Sequence, residues 1–143
     1  MNDLSIHLPT PLQWMGAFAG ALVAILVLDA IWLGVLARPF VLRELGPLML
    51  ERPRFGVAAL FYALYAVGIC YFAIRPAMAG GAWSDAAITG VLLGLFAYLT
   101  YDLTNLATLR GWSVAFAVVD VAWGGFLTGV AAIAGYHAAH AVR

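Results

Sequence analysis

Four long apolar stretches, separated by short polar connections, account for most of the chain. They cover about residues 14–37, 55–74, 86–109 and 113–136. Each is long enough for a helix that crosses the bilayer core, which needs about 20 mostly apolar residues. The pattern predicts an all-α membrane protein, a bundle of four transmembrane helices that forms one integral membrane domain over residues 1–143. Glycines four residues apart predict close helix packing in three stretches: Gly16/Gly20, Gly90/Gly94 and Gly125/Gly129.

The composition supports this interpretation. Hydrophobic residues make up 65% of the chain and charged residues 10%, whereas average soluble domains have about 45–50% and 25%. A soluble fold of this size has no interior large enough to bury so much apolar surface. Seven cations balance seven acids, so the charge gives no indication of nucleic-acid binding and we expect no nucleic-acid partner. The single cysteine, Cys70, excludes a disulfide within the chain.

The cations are all arginines, and their distribution predicts the orientation. Four arginines lie in the first connection, and Arg110 lies in the third. Arg75 borders the second connection, and Arg143 stands on the same side. Five arginines on the side of connections one and three, against two on the other side, favour a cytoplasmic location for these two connections and an external one for both termini. This is the topology expected of a multi-pass protein in a bacterial cytoplasmic (inner) membrane. Aromatic residues at the ends of the stretches fit interfacial anchors: Trp14, Trp83, Trp112 and Tyr136.

The first connection, RPFVLRELGPLMLERPR at residues 38–54, alternates apolar and charged residues. This pattern predicts a short segment that lies in the membrane interface and is broken at Gly46-Pro47. A basic determinant of topology is one interpretation of this segment. The alternative is a site for a lipid headgroup or a phosphate, because arginine binds phosphate with two parallel hydrogen bonds.

Three carboxyl groups, those of Asp29, Asp102 and Asp120, lie inside the predicted helices. A carboxylate there costs several kcal/mol unless it is paired, protonated or hydrated. Each is eight to ten residues from an arginine of the first or third connection, which corresponds to a depth of about 12–15 Å at 1.5 Å per residue. Tyr62 and Tyr65 of the second stretch lie at about the same depth. The sequence therefore predicts one polar layer to which every helix contributes.

Helical spacing adds neighbours to this layer, because residues three or four positions apart share a helix face. We therefore interpret the three acids Asp102, Asp29 and Asp120 as a candidate acid/base or ion site. The candidate ligand-binding residues around them are Trp32, Tyr62, Tyr65, Tyr98, Asn105 and Trp123. The alternative is that the acids are structural and fix the helix register through hydrogen bonds. No spacing indicates a metal site or identifies a cofactor, and His7, His137 and His140 are typical of solvated chain ends.

Several segments of the chain resemble a known family. The segments are LDAIWLG at 28–34, FYALY at 61–65, YDLTNLATLRGW at 101–112 and VDVAWG at 119–124. They resemble a small bacterial family of predicted integral membrane proteins, a domain of unknown function. The resemblance covers nearly the whole chain and implies a four-span inner-membrane protein, with no established activity.

Three functional hypotheses remain open at this stage. The first is binding of a lipidic or otherwise hydrophobic small molecule at the polar layer, with an acid/base lipid-modifying enzyme as its catalytic version. The second is a small proton-coupled carrier, and the third is a non-catalytic subunit of a membrane complex. The partners implied are the lipid bilayer, a hydrophobic ligand, and, for the carrier or the subunit, a homodimer or another membrane protein.

Overall fold

Four helices that are long and apolar enough to cross a membrane dominate the structure, a computed structural model that describes residues 8–142. They are α1 (Pro11–Leu36), α3 (Phe55–Met78), α4 (Trp83–Thr108) and α5 (Val114–Ala141). A shorter helix, α2 (Arg38–Leu45), follows α1 and leads into a 3-10 turn at Gly46–Leu48. Residues 8–142 contain no β-strand. The predicted fold class is thus confirmed, whereas His7 and Arg143 lie outside the described residues.

Short polar caps set where the first and last helices begin. The Thr10 hydroxyl accepts a hydrogen bond from the Gln13 backbone N–H at 3.2 Å, and the Gln13 side chain accepts one from the Thr10 N–H at 2.9 Å. This reciprocal pair satisfies donors that a helix start leaves free. Ser113 caps α5 by accepting a hydrogen bond from the Phe116 N–H at 3.1 Å. The helices therefore begin within a few residues of the predicted boundaries.

Two of the long helices contain a wide, π-helical turn, at Trp32–Leu36 in α1 and at Cys70–Ile74 in α3. The first turn closes with a hydrogen bond of 2.7 Å from the Ala37 N–H to the Trp32 carbonyl oxygen. Such turns are rare and often accompany functional sites in helices. This one begins three residues after Asp29, so it lies directly beside the predicted polar layer.

The last helix, α5, lies at the centre of the bundle. In the most apolar 18-residue segment of α5, 50% of the residues are buried. In the corresponding segments of the other three long helices, between 17% and 28% are buried. A Cβ atom added to Gly20 of α1 would lie 2.9 Å from the carbonyl oxygen of Ala134, and one added to Gly90 of α4 would lie 2.9 Å from that of Thr128. Glycine thus lets α1 and α4 approach the α5 backbone, and dispersion stabilises these contacts in lipid.

The two halves of α3 are packed differently. The second half contributes several buried side chains to the core: Ile69, Cys70, Ala73, Ile74 and Ala77. In the first half, Phe55, Leu60 and Leu64 are each at least 60% exposed, and Ala66 is the first fully buried residue. This half leaves a cleft between α3 and α4 that opens on the side of the bundle, where lipid would lie.

The short helix α2 is fixed to the beginning of α5. The rings of Phe40 and Phe116 stack with their centroids 6.4 Å apart, and the Ser113 hydroxyl donates a hydrogen bond to Glu44. Arg43 donates to the same carboxylate at 2.9 Å. The hydrogen bonds from Ser113 and Arg43 lower the pKa of Glu44 below its ordinary value. As predicted, the helix ends before the Gly46-Pro47 pair, and the segment is a packed part of the fold.

Candidate functional site

The carboxyl group of Asp29 joins three helices. The Tyr62 hydroxyl of α3 donates a hydrogen bond of 2.8 Å to Oδ2, and the Trp123 indole N–H of α5 donates one of 2.8 Å to Oδ1. The residue itself is 7% exposed. Each carboxyl oxygen of Asp29 therefore has a donor from a different helix, which is the arrangement expected of a buried structural carboxylate.

Two tryptophans form the wall next to Asp29. The ring of Trp32, in the wide turn of α1, stacks on Trp123 with centroids 4.4 Å apart and planes 8° apart. This stacking holds the Trp123 indole in the orientation that its hydrogen bond to Asp29 requires. The two predicted ligand-binding tryptophans thus contact each other.

Asp102 has a different environment, because only one of its carboxyl oxygens has a donor. The residue is fully buried, and Oδ1 accepts a hydrogen bond of 3.3 Å from the Trp112 indole. Oδ2 has no donor among the described residues. The carboxyl group of Asp120 on α5 is the neighbouring acidic group with which Asp102 interacts. Two ionised carboxylates can only accept, so a hydrogen bond between Asp102 and Asp120 requires that the pair shares one proton.

The remaining residues connect this carboxyl pair to Asp29. Asp120 interacts electrostatically with both Asp102 and Asp29, and Tyr98 lies among Asp29, Tyr65 and Asp120. Eight of the nine predicted residues are therefore brought into one layer: Asp29, Asp102, Asp120, Trp32, Tyr62, Tyr65, Tyr98 and Trp123. Asn105 is half-buried at the edge of the layer, and no hydrogen bond within residues 8–142 joins it to Asp102.

A cavity of about 340 Å³ in the α3/α4 cleft borders the layer. Its walls are Phe61, Tyr65, Ala97, Tyr98 and Tyr101. Phe61 stacks on Tyr65 with centroids 5.4 Å apart, and Phe61 and Tyr101 are about half exposed on the lipid-facing side. The volume is at the lower end of that of ligand pockets, about 300–1,000 Å³, and such pockets are mostly apolar with a few polar groups. The cavity adjoins the layer at Tyr65 and Tyr98, and its described walls include none of the three acids.

The sequence analysis missed two partners of the layer. Trp112 was interpreted only as an interfacial anchor, but its indole turns back to Asp102 across the bend at Gly111, whose φ is +77°. Thr128 of α5 is fully buried and shares a hydrogen bond of 2.6 Å with the Tyr65 hydroxyl. A polar residue in the middle of α5 was the only available signal for Thr128, and no pattern in the sequence predicted the contact of Trp112.

The described residues provide no cation at the depth of the acids. Within residues 8–142 the ion pair found is that of Arg43 and Glu44, outside the long helices. The same residues contain no group of three or more histidine, cysteine, aspartate or glutamate side chains placed to hold a metal ion. The His140 ring lies 2.8 Å from the Tyr136 carbonyl oxygen. Hydrogen bonds, protons, water or a ligand are left to stabilise these carboxyl groups.

Comparison with known families agrees with this architecture. A family model described as predicted membrane protein (DUF2177) matches residues 14–137. The chain belongs to this family. The match includes the carboxyl pair, the Asp29 cluster and the α3/α4 cleft, so the whole candidate site lies within the DUF2177 region. No curated protein and no solved structure matches the chain. For this DUF2177 protein, function must therefore be inferred from the geometry of the layer.

Proposed function

We propose that the protein binds a hydrophobic or lipid-like small molecule from the membrane in the α3/α4 cleft. The polar or reactive group of this molecule would lie at the Asp102–Asp120 pair. The observation that carries the proposal is the free Oδ2 of Asp102, a fully buried carboxyl oxygen beside a second carboxyl group. It lies in the same layer as an aromatic cleft that opens toward lipid.

The contrast between Asp29 and Asp102 supports a functional role for the pair. An acid that only fixes helix register gains from having donors on both oxygens, and Asp29 has them. A buried acceptor without a donor costs about 1–3 kcal/mol, and two carboxyl groups side by side add electrostatic repulsion whenever both ionise. Asp102 and Asp120 can avoid these costs only by holding a proton between them, and a catalytic or ligand-binding role would explain why such a pair lies in the membrane. We therefore assign Asp29 to the scaffold and the pair to the site.

The pair has the chemistry of a general acid and a general base. One carboxyl group can add its proton to one carbon of a double bond. The other, as a carboxylate, removes a proton from the carbon that is bonded to the opposite end of this double bond. The double bond then shifts along the chain, and no oxidant or other reactant is needed. Isoprenoid and fatty-acyl double bonds are suitable substrates, because they are hydrophobic and reach such depths in the bilayer. The aromatic walls at Tyr98 and Tyr101 would stabilise the cationic intermediate.

A proton-coupled carrier is the second candidate. It is favoured by the neighbouring carboxyl groups of Asp102 and Asp120, which could exchange a proton, and by the half-buried Trp112, whose indole links Asp102 to the turn between α4 and α5. A carrier would release the shared proton on one side when its cargo arrives from the other. It predicts a proton flux that depends on the cargo, whereas the binding protein or enzyme predicts a retained or converted lipid without net flux.

We propose a bacterial inner-membrane location for this single membrane domain, with both termini external and the carboxyl pair in the cytoplasmic half. The arginines around α2 support this orientation. Reporter fusions at Glu51 and Arg110 are expected to be active only as cytoplasmic reporters, and a fusion at Gly80 only as an external one. The opposite pattern at Glu51 and Gly80 would reverse the orientation and place the pair in the outer half.

Filling the cleft tests the binding proposal directly. Ala97→Phe places a ring in the cavity, whereas Ala107→Phe places the same ring on an exposed position of the same helix that lines no cavity described here. The wild-type protein and A107F, purified in lipid nanodiscs, are expected to retain a hydrophobic small molecule that mass spectrometry detects. A97F is expected to lose at least about 90% of it, because loss of about 1.4 kcal/mol lowers affinity tenfold.

The melting temperature of both variants shows whether they fold. Equal retention by folded A97F and A107F would contradict the proposed cleft. Absence of any retained molecule from the wild-type protein, in extracts of the native membrane as well, would contradict the binding function itself.

A further inference from the structure

We propose a second binding site, for the headgroup and upper acyl chain of an anionic phospholipid, at the cavity beside α2. It is separate from the α3/α4 cleft and does not depend on the function proposed for the carboxyl pair. The cavity has a volume of about 630 Å³ and lies between the end of α1, one face of α2 and the loop that follows. The side chains that carry the argument are Leu33, Leu42, Met49, Leu50, Arg38 and Glu51.

The two faces of α2 have different roles. Phe40 and Glu44, one turn apart, face α5 through the Phe116 stack and the Ser113 hydrogen bond. Arg38 and Leu42, also four residues apart, share the opposite face and line the cavity. Because one face is fixed to α5, the other cannot turn away from the cavity. The position of Arg38 is therefore set by the fold.

The charge of the cavity is complementary to a phosphodiester. Arg38 lines it and forms no ion pair within residues 8–142. Arg38 and Glu51 are the charged lining residues, and Arg52 and Arg54 adjoin the lining in the sequence, on either side of Pro53. Basic residues at and beside the cavity thus outnumber its one acid, and the guanidinium fork of Arg38 matches phosphate oxygens.

The apolar walls identify the ligand as a lipid. Leu42, Met49 and Leu50 are each between 46% and 57% exposed, which is unfavourable next to water and favourable next to an acyl chain. The cavity adjoins the end of a membrane-spanning helix, where headgroups lie. A soluble phosphate would satisfy the arginines but would leave these leucines and the methionine uncovered.

Two arginines of the same helix provide a matched test. Arg38 lines the cavity, whereas the Arg43 guanidinium binds Glu44 and lies 5.4 Å from the centre of the Phe40 ring on the other face. In nanodiscs of mixed phosphatidylglycerol and phosphatidylcholine, native mass spectrometry is expected to show phosphatidylglycerol enriched on the wild-type protein. Arg38→Gln is expected to lower this enrichment about fivefold, which corresponds to about 1 kcal/mol per basic residue at a membrane surface. Arg43→Gln is expected to preserve it.

The other arms of the experiment separate the alternatives. An equal loss of phosphatidylglycerol enrichment in R38Q and R43Q would mean a general attraction to anionic lipid and would contradict the proposed site. Absence of enrichment on the wild-type protein would contradict it as well. Competition by millimolar inorganic phosphate would overturn the lipid assignment in favour of a free-phosphate site. If R38Q does not fold, Glu51→Gln tests the same cavity in the opposite direction. Removing the negative charge of Glu51 should raise the enrichment of phosphatidylglycerol, and unchanged enrichment in E51Q would contradict the proposal.

Discussion

In infrared spectra of the purified protein, the carbonyl band of a protonated carboxyl group is expected to disappear in both Asp102→Asn and Asp120→Asn. We propose that the two neighbouring carboxyl groups share one proton, because two ionised carboxylates can only accept hydrogen bonds and repel each other. An asparagine amide supplies the donor instead, so either substitution removes the need for that proton. This band is therefore expected to be lost completely in D102N and in D120N. If the pair acts as acid and base, turnover of any substrate should also fall by about 10²-fold or more.

Asp29→Asn is the matched control. Asp29 accepts hydrogen bonds from Tyr62 and Trp123, so the band of the Asp102–Asp120 pair is expected to persist in D29N. Melting temperatures should be measured for all three variants, since only folded protein reports on the pair. If the band survives in folded D102N and D120N, the shared proton does not exist and the acid/base and carrier proposals both lose their basis.

The common level of the acids along the bundle could be predicted from the sequence, but the contacts between them could not. Counting residues from Arg38 and Arg110 works because a helix rises by a fixed distance per residue. Helix rotation is set by tertiary packing, which single-helix spacing does not describe. Trp123 lies three residues after Asp120 on the same helix, so helical spacing alone would place it beside Asp120, yet its indole N–H donates to Asp29 on α1. The wide turn at Trp32, which brings the two tryptophans together, has no signal in the sequence.

The environment of Asp102 shows a second limit of the sequence. Tyr98 lies four residues before Asp102 and Asn105 three residues after it, so helical spacing alone would make them its partners. The observed donor is Trp112, which reaches back across the bend at Gly111 from beyond the helix end. Such a contact depends on the conformation of one turn. The break at Gly46-Pro47, in contrast, was predictable, because proline lacks the backbone N–H that would continue the helical hydrogen bonds.

The largest effect on stability is expected for Gly94→Ala, at the contact between α4 and α5. A Cβ atom on Gly94 would overlap the carbonyl oxygen of Gly124 and would lie 2.6 Å from the Thr128 hydroxyl oxygen. A backbone atom cannot move aside as a flexible side chain can, so the helices must separate. Overpacking of this kind costs about 1–3 kcal/mol and occasionally more, a large part of a net stability of about 5–15 kcal/mol.

Gly68→Ala in α3 is the control, because its added methyl group meets no atom within 4 Å. In a helix interior this change should be neutral or stabilise by about 0.5–1 kcal/mol. Thermal unfolding in detergent is therefore expected to show a lower midpoint for G94A and an unchanged or higher one for G68A.

Gly94 lies two turns before Asp102, and Gly124 lies one turn after Asp120. Folded G94A should accordingly also lose the infrared band of the shared proton, since the same separation pulls the two carboxyl groups apart. A G94A protein as stable as G68A, with the band intact, would show that the close approach of α4 and α5 does not hold the pair together.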